Sequence, residues 1–146
     1  MKLIAFLAFI FFTAPVPVWL TNFKEAQKAA AENNKLMILN FSGSDWCIPC
    51  MRTRKEIFET ACFTKFSGSN LVLINADFPR NNKNKLSKEQ SDLNEALADK
   101  YNAKGIFPLT ILISADGKIL KEWEGFPGVS PEVFVEQIKK YTDARN

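Results

Sequence analysis

The chain has 146 residues, which fits one domain of ordinary size. Its 47% hydrophobic and 24% charged residues are typical of a globular protein and exclude intrinsic disorder. The net charge of +3 is too small to predict nucleic-acid binding, and the lack of histidine excludes Ser-His or Cys-His catalysis and histidine metal ligands.

The N-terminus has the pattern of an export signal. Lys2 precedes an unbroken apolar run from Leu3 to Phe12, and small residues and two prolines follow. This order is typical of a secretory signal. We therefore assign residues 1–18 to a signal peptide and expect a periplasmic or otherwise extracytoplasmic protein. An uncleaved membrane anchor is the alternative, although the run is shorter than the ~20 residues needed to span a bilayer.

The remaining residues, 19–146, are predicted to form one domain of alternating helices and strands. Its first part predicts a helix over 23–33, a buried strand over 35–41, one helix from about 47 to 66, a buried strand over 71–77 and a helix over 88–101. Its last part predicts a strand over 109–113, a hairpin turn at "ADGK", a return strand and a final helix capped by Ser130. The order predicts an α/β fold with a mixed central sheet of four to five strands flanked by helices.

Two of the three cysteines lie in the stretch "GSDWCIPCMR". Cys47 falls where a buried strand ends and a helix begins, so unpaired backbone N–H groups favour its thiolate. Cysteines in Cys-X-X-Cys motifs at helix starts commonly have a lowered thiol pKa, and Cys47 is therefore the expected nucleophile. Cys50 follows one turn later, at disulfide distance and in a more buried position. That placement suits a resolving thiol.

Two other interpretations of the cysteine pair remain open. A structural disulfide across two residues closes a small loop and contributes little entropy. A zinc site needs more ligands than two thiols supply, but Cu(I) could bind the pair because it accepts few soft ligands. The third cysteine, Cys62, is predicted to be a buried, inert thiol on the apolar side of its helix.

The residues after the second buried strand are polar and basic. Asp77 ends that strand on the side of the cysteine motif and is expected to give polar support there. The following stretch, "FPRNNKNK", is predicted to be a solvated loop. Steering of acidic partners is the less favoured interpretation of the same stretch.

The "DWCIPC" motif, the strand–loop–helix around it and Phe107-Pro108 before a strand resemble the thioredoxin superfamily. The resemblance spans roughly residues 23–141 and is strongest to exported bacterial thioredoxin-like proteins. It implies a thiol–disulfide oxidoreductase in which Cys47 attacks, Cys50 resolves and Pro108 is a cis-proline beside the active site. No cofactor is required for this chemistry, and no metal is expected.

The resemblance also implies a substrate surface and partners. Trp46, Ile48, Pro49, Phe107 and Pro108 are the expected substrate-binding residues. Protein thiols and disulfides are the expected partners, and a membrane-embedded disulfide reductase is a candidate electron donor. A non-catalytic module that holds extended segments in the groove by Trp46 and Phe107 is the alternative function.

The chain departs from the thioredoxin pattern at the resolving cysteine. Thioredoxins carry a buried aspartate and a nearby lysine where this chain has Asn40 and Leu73. Because asparagine cannot titrate, protons for Cys50 must come from water or from a carboxylate such as Asp45 or Glu56. Ile48 also replaces the histidine that is linked to the strongest oxidants of the superfamily. This difference favours a reductase or isomerase.

Overall fold

A computed structural model describes residues 17–145 of the chain. The predicted signal peptide, residues 1–18, lies almost entirely outside the described residues, so the signal and its alternative as a membrane anchor stay predictions. Within the described part, no helix is long and apolar enough to cross a membrane.

Five strands and five α-helices make up the described chain. The strands are β1 (Trp19–Leu20), β2 (Leu36–Ser42), β3 (Leu71–Asp77), β4 (Leu109–Ile113) and β5 (Ile119–Glu124). The helices are α1 (Phe23–Glu32), α2 (Ile48–Thr53), α3 (Ala61–Asn70), α4 (Lys88–Tyr101) and α5 (Pro131–Thr142). A π-helical turn at Arg54–Phe58 and short 3-10 turns at Asn82–Asn84 and Asp143–Arg145 complete the list.

The strands form one mixed sheet in the order β1-β3-β2-β4-β5. Strands β1, β3 and β2 are parallel, whereas β4 is antiparallel to both β2 and β5. The carboxyl ends of β2 and β3 therefore lie at the same edge of the sheet as the start of β4. This topology confirms the predicted α/β fold and brings the cysteine motif, which follows β2, next to the segment before β4.

The sheet is covered on both faces by apolar side chains. One core contains Ala26 and Ala30 of α1 and Leu97 and Tyr101 of α4, packed against the strands. The other core is rich in aromatic rings from the π-helical turn, α3, β5 and α5, namely Phe58, Phe63, Trp123 and Phe134. Burial on both faces explains why β2 begins with four consecutive apolar residues and why all seven of its residues are buried.

Two features differ from the sequence prediction. Strand β1 was not expected, because two residues are too few to show a period, yet Trp19 pairs with Leu73 across the sheet. The single predicted helix over 47–66 is wrong: a π-helical turn follows α2, and the chain bends before α3 begins. Thr60 begins the new helix by accepting a hydrogen bond from the Phe63 N–H at 3.4 Å.

Candidate active site

The loop between β2 and α2 is shaped by a close contact of backbone and indole. A Cβ atom on Gly43 would lie 2.3 Å from the Trp46 ring, so only glycine fits there. The Trp46 indole N–H donates a hydrogen bond of 2.7 Å to the Phe78 carbonyl, which follows β3. The indole is therefore held against the loop after β3, immediately before Cys47.

Cys47 and Cys50 are joined by a disulfide, with their Cα atoms 5.2 Å apart. Cys47 caps α2, and its sulfur accepts a hydrogen bond from the Cys50 N–H at 3.2 Å. Pro49 lies in the first turn of α2, where a missing N–H leaves no helix bond unmade. The expectation that Cys50 is the more buried residue is wrong in this disulfide form, because Cys47 is 3% exposed and Cys50 is 6% exposed.

Three aromatic rings pack together next to the cysteine motif. We call these rings, from Trp46, Phe78 and Phe107, the aromatic wall. The peptide bond between Phe107 and Pro108 is cis, as the resemblance implied, and Pro108 is buried. The Phe107 ring contacts the Trp46 ring with centroids 5.5 Å apart, so it brings the cis-proline segment to the motif. On the solvent side, Ile48 is 77% exposed next to Cys47. The predicted substrate-binding residues are thus brought together, and their role in binding stays a prediction.

A cavity of about 220 Å³ lies beside Cys50. Its lining is mixed, consisting of Trp19, Asn40, Ser42, Ser44, Cys50, Met51, Arg54, Phe58 and Asn75. Asp45 and Glu56, the predicted proton-transfer candidates, are not part of this lining. The volume is well above the ~10–15 Å³ needed for one water molecule, and the polar groups give such water its partners.

Asp45 and Glu56 make other contacts in this structure. The Asp45 carboxylate accepts hydrogen bonds from the Arg80 and Asn81 N–H groups at 2.9 and 2.8 Å, and the first of these bonds is the main cause of its lowered pKa. Glu56 accepts a hydrogen bond of 2.8 Å from the Arg52 guanidinium at the surface of α2 and the following turn. Their role in proton transfer to Cys50 stays a prediction.

A hydrogen-bonded polar network at the ends of the central strands was not foreseen as a unit. The Thr110 hydroxyl donates to the Asn40 side-chain oxygen at 3.1 Å, and the Asn40 side-chain amide donates to the Asn75 side-chain oxygen at 2.9 Å. Ser42 donates to Asn75 at 3.1 Å, and its hydroxyl also lies 3.2 Å from the Asp77 carboxylate. The parallel register of β2 and β3, which sets Asn40 opposite Asn75, is the signal that could have revealed this network.

Asp77 supports the motif loop as expected. Its carboxylate accepts hydrogen bonds from the Ser44 N–H at 2.9 Å and from the Ser44 hydroxyl at 2.6 Å.

Cys62, predicted to be buried, is only half-buried where α3 packs beside the aromatic core. Among residues 17–145, no three or more Cys, Asp or Glu side chains are grouped so as to hold a metal ion.

Comparison with known proteins bears directly on the class of this chain. The profile of the thioredoxin-like domain family matches residues 23–142. The chain is 32% identical over 118 residues to disulfide bond reductase DsbH of Chlamydia pneumoniae, which covers 81% of this chain and 69% of the relative. It is 31% identical over 97 residues to the thioredoxin-related protein DsbJ of the same species, which covers 66% of this chain and 27% of the relative.

Solved structures of thioredoxin-like proteins also match this chain. The DsbH oxidoreductase structure matches with a TM-score of 0.81 at 27% identity, covering 97% of this chain and 95% of that structure. A thioredoxin from Thermus thermophilus matches with a TM-score of 0.64 at 11% identity, covering 87% and 88% of the two chains, which supports the fold alone.

The chain belongs to the thioredoxin-like domain family. It is a thiol–disulfide oxidoreductase homologous to DsbH, and its Cys47–Cys50 disulfide is the redox pair expected of that class. The predicted fold, family and enzyme class are therefore confirmed. These findings favour redox chemistry over the Cu(I) site and the non-catalytic binding module.

Proposed function

We propose that this oxidoreductase is exported and reduces disulfide bonds in proteins outside the cytoplasm. The apolar run behind Lys2 supports export. The relative's name, disulfide bond reductase, and the Ile48 side chain in place of histidine support the reducing direction. In an oxidising compartment the Cys47–Cys50 disulfide of a reductase must be reduced again after each turnover. A membrane-embedded disulfide reductase is the proposed electron donor.

One observation carries this proposal: the Cys47 sulfur caps α2 and accepts the Cys50 N–H at 3.2 Å. In the dithiol form, the same N–H and the partial positive charge of the helix start stabilise a thiolate on Cys47. That thiolate attacks one sulfur of a substrate disulfide, forms a mixed disulfide and releases the other substrate sulfur as a thiolate. Cys50 then loses its proton and attacks the Cys47 sulfur, which releases the second substrate thiolate and forms the Cys47–Cys50 disulfide.

Substrate is proposed to bind across the aromatic wall. The Phe107 backbone lies outside strand β4, and the N–H and carbonyl of Phe107 make no hydrogen bond within residues 17–145. They can pair with an extended segment as the edge of a sheet does. The exposed Ile48 side chain and the Trp46 ring supply apolar contact on either side of the substrate sulfur.

Water in the cavity beside Cys50 is the proposed acceptor of the Cys50 proton. Arg54 is the one charged residue in the cavity lining, and the side chains of Asn40, Asn75, Ser42 and Ser44 cannot titrate in the working range. A thiol next to such a cavity can exchange its proton with ordered water and through it with the solvent. This route replaces the buried aspartate of thioredoxins.

Insulin reduction with a small-molecule thiol as electron source tests the redox function. Wild-type protein at micromolar concentration is expected to accelerate precipitation of the insulin B chain. Cys47→Ser is expected to reduce the rate to the level without protein, because it lacks the attacking sulfur. Cys50→Ala is the matched control: once reduced, desalted and mixed with insulin without small-molecule thiol, it is expected to retain a mixed disulfide with the substrate, visible on a non-reducing gel. Full turnover by Cys47→Ser would contradict the proposed chemistry.

A further inference from the structure

A loop rich in cations is fastened to the wall of the active site. We call residues 78–85, "FPRNNKNK", the basic loop. The Asp45 carboxylate accepts three hydrogen bonds from this loop, at 2.8 to 3.0 Å. The donors are the backbone N–H groups of Arg80 and Asn81 and the side-chain amide of Asn84. The Trp46 indole binds the Phe78 carbonyl from the same side. The loop is solvated as predicted, since residues 80–85 are exposed, but the two residues that precede Cys47 attach it to the motif.

The basic loop carries three positive charges, of which the Asp45 carboxylate offsets one. It contains Arg80, Lys83 and Lys85 and no carboxylate, and all three cations are exposed. None of them forms an ion pair with another residue of the described chain, in contrast to Lys88, which lies 2.7 Å from Asp92. Asp45 is the carboxylate in contact with the loop, and its oxygens are already bound by three N–H groups.

Among the cations of the basic loop, Arg80 is the one that contacts the cysteine motif. Its guanidinium lies over the Trp46 ring, 3.7 Å from the centroid, and Trp46 directly precedes Cys47. Cation–π attraction to the indole holds the guanidinium over the ring, and a planar guanidinium carries five N–H donors in a fixed fork. Such an ordered fork binds a carboxylate through two parallel hydrogen bonds.

We propose that the basic loop makes this enzyme select disulfides flanked by acidic residues, with Arg80 as the main specificity determinant. This inference rests on the proposed reductase function and names its substrate class. The carboxylates of the substrate lie over the loop while its disulfide lies over Cys47. The attraction acts on encounter and formation of the mixed disulfide. The sulfur chemistry is unchanged: the Cys47 thiolate takes one substrate sulfur, the other leaves as a thiolate, and Cys50 completes the two-electron transfer.

Charge steering of this kind raises association rates by about tenfold or more at low ionic strength. It acts over roughly the Debye length, which falls from about 14 Å at 0.05 M salt to about 4 Å at 0.5 M salt. The expected preference for an acidic substrate over a neutral one is therefore about tenfold at low salt and much smaller at high salt.

Single-turnover reduction of synthetic peptides tests the proposal. Three cyclic peptides of otherwise identical sequence carry glutamate, glutamine or lysine on both sides of one internal disulfide. The full-length protein is reduced with dithiothreitol, desalted and mixed with excess peptide at about pH 7.5, and oxidation of the protein is followed by tryptophan fluorescence. We expect rates in the order glutamate, glutamine, lysine, with the spread collapsing at about 0.5 M salt.

Two sets of variants locate the effect. Arg80→Gln alone is expected to remove most of the preference for the glutamate peptide, and the triple change Arg80→Gln, Lys83→Gln, Lys85→Gln is expected to remove all of it. The matched control removes the same charge from exposed lysines outside the loop, through Lys65→Gln, Lys118→Gln and Lys140→Gln. Because this control lowers net charge equally, it separates a local effect of the loop from a general effect of a cationic protein.

The outcomes separate the two proposals. Equal rates for all three peptides, or the same loss of preference in the control triple, would overturn the acidic selectivity while leaving the reductase function in place. An unchanged preference in the loop triple would overturn it as well. If wild-type protein reduces no peptide, and insulin reduction also fails, the proposed function itself is wrong and the selectivity falls with it.

Discussion

Asn40 is the residue at which this chain departs most from thioredoxin chemistry, and its neighbours show how the departure is accommodated. Its amide donates to Asn75 at 2.9 Å while its carbonyl oxygen accepts from Thr110 at 3.1 Å. The Asn40 side chain thus both donates and accepts a hydrogen bond. In the described chain, no buried side-chain polar atom lacks a partner. A carboxylate at the same place would accept from Thr110 but could not donate to the Asn75 oxygen. The site is therefore built for a neutral amide.

Asn40→Asp is predicted to destabilise the protein in a pH-dependent way. Burial beside the Asn75 oxygen should raise the folded-state pKa of the new carboxyl above its unfolded value of about 3.9. The penalty is then largest above the raised pKa, at about 1–3 kcal/mol. It shrinks as pH falls below the raised pKa and disappears below about pH 3.9, where the carboxyl is neutral in both states. Urea unfolding at several pH values measures it. Asn40→Ala is the control, because it loses the same hydrogen bonds without a titrating group. A loss with the same pH dependence in both variants would contradict the prediction.

At the scale of elements, the strands were more predictable than the chain around the motif. Strand β2 and strand β4 were visible as apolar runs because both faces of the sheet are covered, and Gly117, with a φ of 89°, confirms the predicted turn between β4 and β5. The break between α2 and α3 was missed because apolar residues continue through it at helical spacing. At the break, Phe58 packs with its ring 6.1 Å from the Phe134 ring, and Thr60 caps the new helix.

Contacts between loops explain why the site itself was only partly predictable. The cysteine pair and Pro108 carry local signatures, so their positions followed from the motif. The docking of the basic loop depends on Asp45 meeting N–H groups 35 and 36 residues further along the chain. Such a pairing requires the parallel register of β2 and β3, since that register aligns the loops that follow them. Sequence alone therefore named Asp45 only as a candidate for proton transfer, which stays a prediction, and predicted a solvated loop without its attachment to Asp45.

Asp45→Asn is predicted to release the basic loop from the motif. The pKa of Asp45 is lowered, first by the hydrogen bond from the Arg80 backbone and then by that from the Asn84 side chain. A lowered folded-state pKa means that the contribution of the carboxylate is present above about pH 4 and is lost as pH falls through the folded value. In the variant, one oxygen is replaced by an amide N–H₂ that cannot accept the Asn81 or Asn84 donors.

Amide hydrogen exchange measured by NMR provides the test. The Arg80 and Asn81 amides are expected to be protected in the wild type near neutral pH and to lose protection in Asp45→Asn. In the wild type, titration to low pH should bring the loop to the state of the variant. Asp99→Asn, an exposed change on α4, is the control and should leave both amides protected. Undiminished protection in Asp45→Asn would show that Trp46 and Arg80 hold the loop without the carboxylate.

At the scale of the whole molecule, the two cores share their strands. Ile111 and Leu112 are neighbours in β4, yet Ile111 belongs to the core under α1 and α4 while Leu112 belongs to the aromatic core under α3 and α5. Each central strand thus joins both faces of the sheet, so loss of either core removes support from the other. This arrangement predicts one cooperative unfolding unit for the described domain.

Phe134→Ala and Ile111→Ala are predicted to shift the same single transition. Phe134 is fully buried, with the Trp123 ring 4.6 Å and the Phe63 ring 6.0 Å away, and truncation to alanine should cost about 3–5 kcal/mol. Ile111 is also fully buried, and its truncation to alanine should lower the free energy of unfolding by about 2–5 kcal/mol. Urea unfolding followed by tryptophan fluorescence and by far-ultraviolet circular dichroism should give coincident curves with an unchanged slope for both variants. Phe134→Leu is the control: it retains most of the side-chain volume and is expected to lose less stability than Phe134→Ala. Separate transitions from the two probes would mean that the faces of the sheet unfold independently.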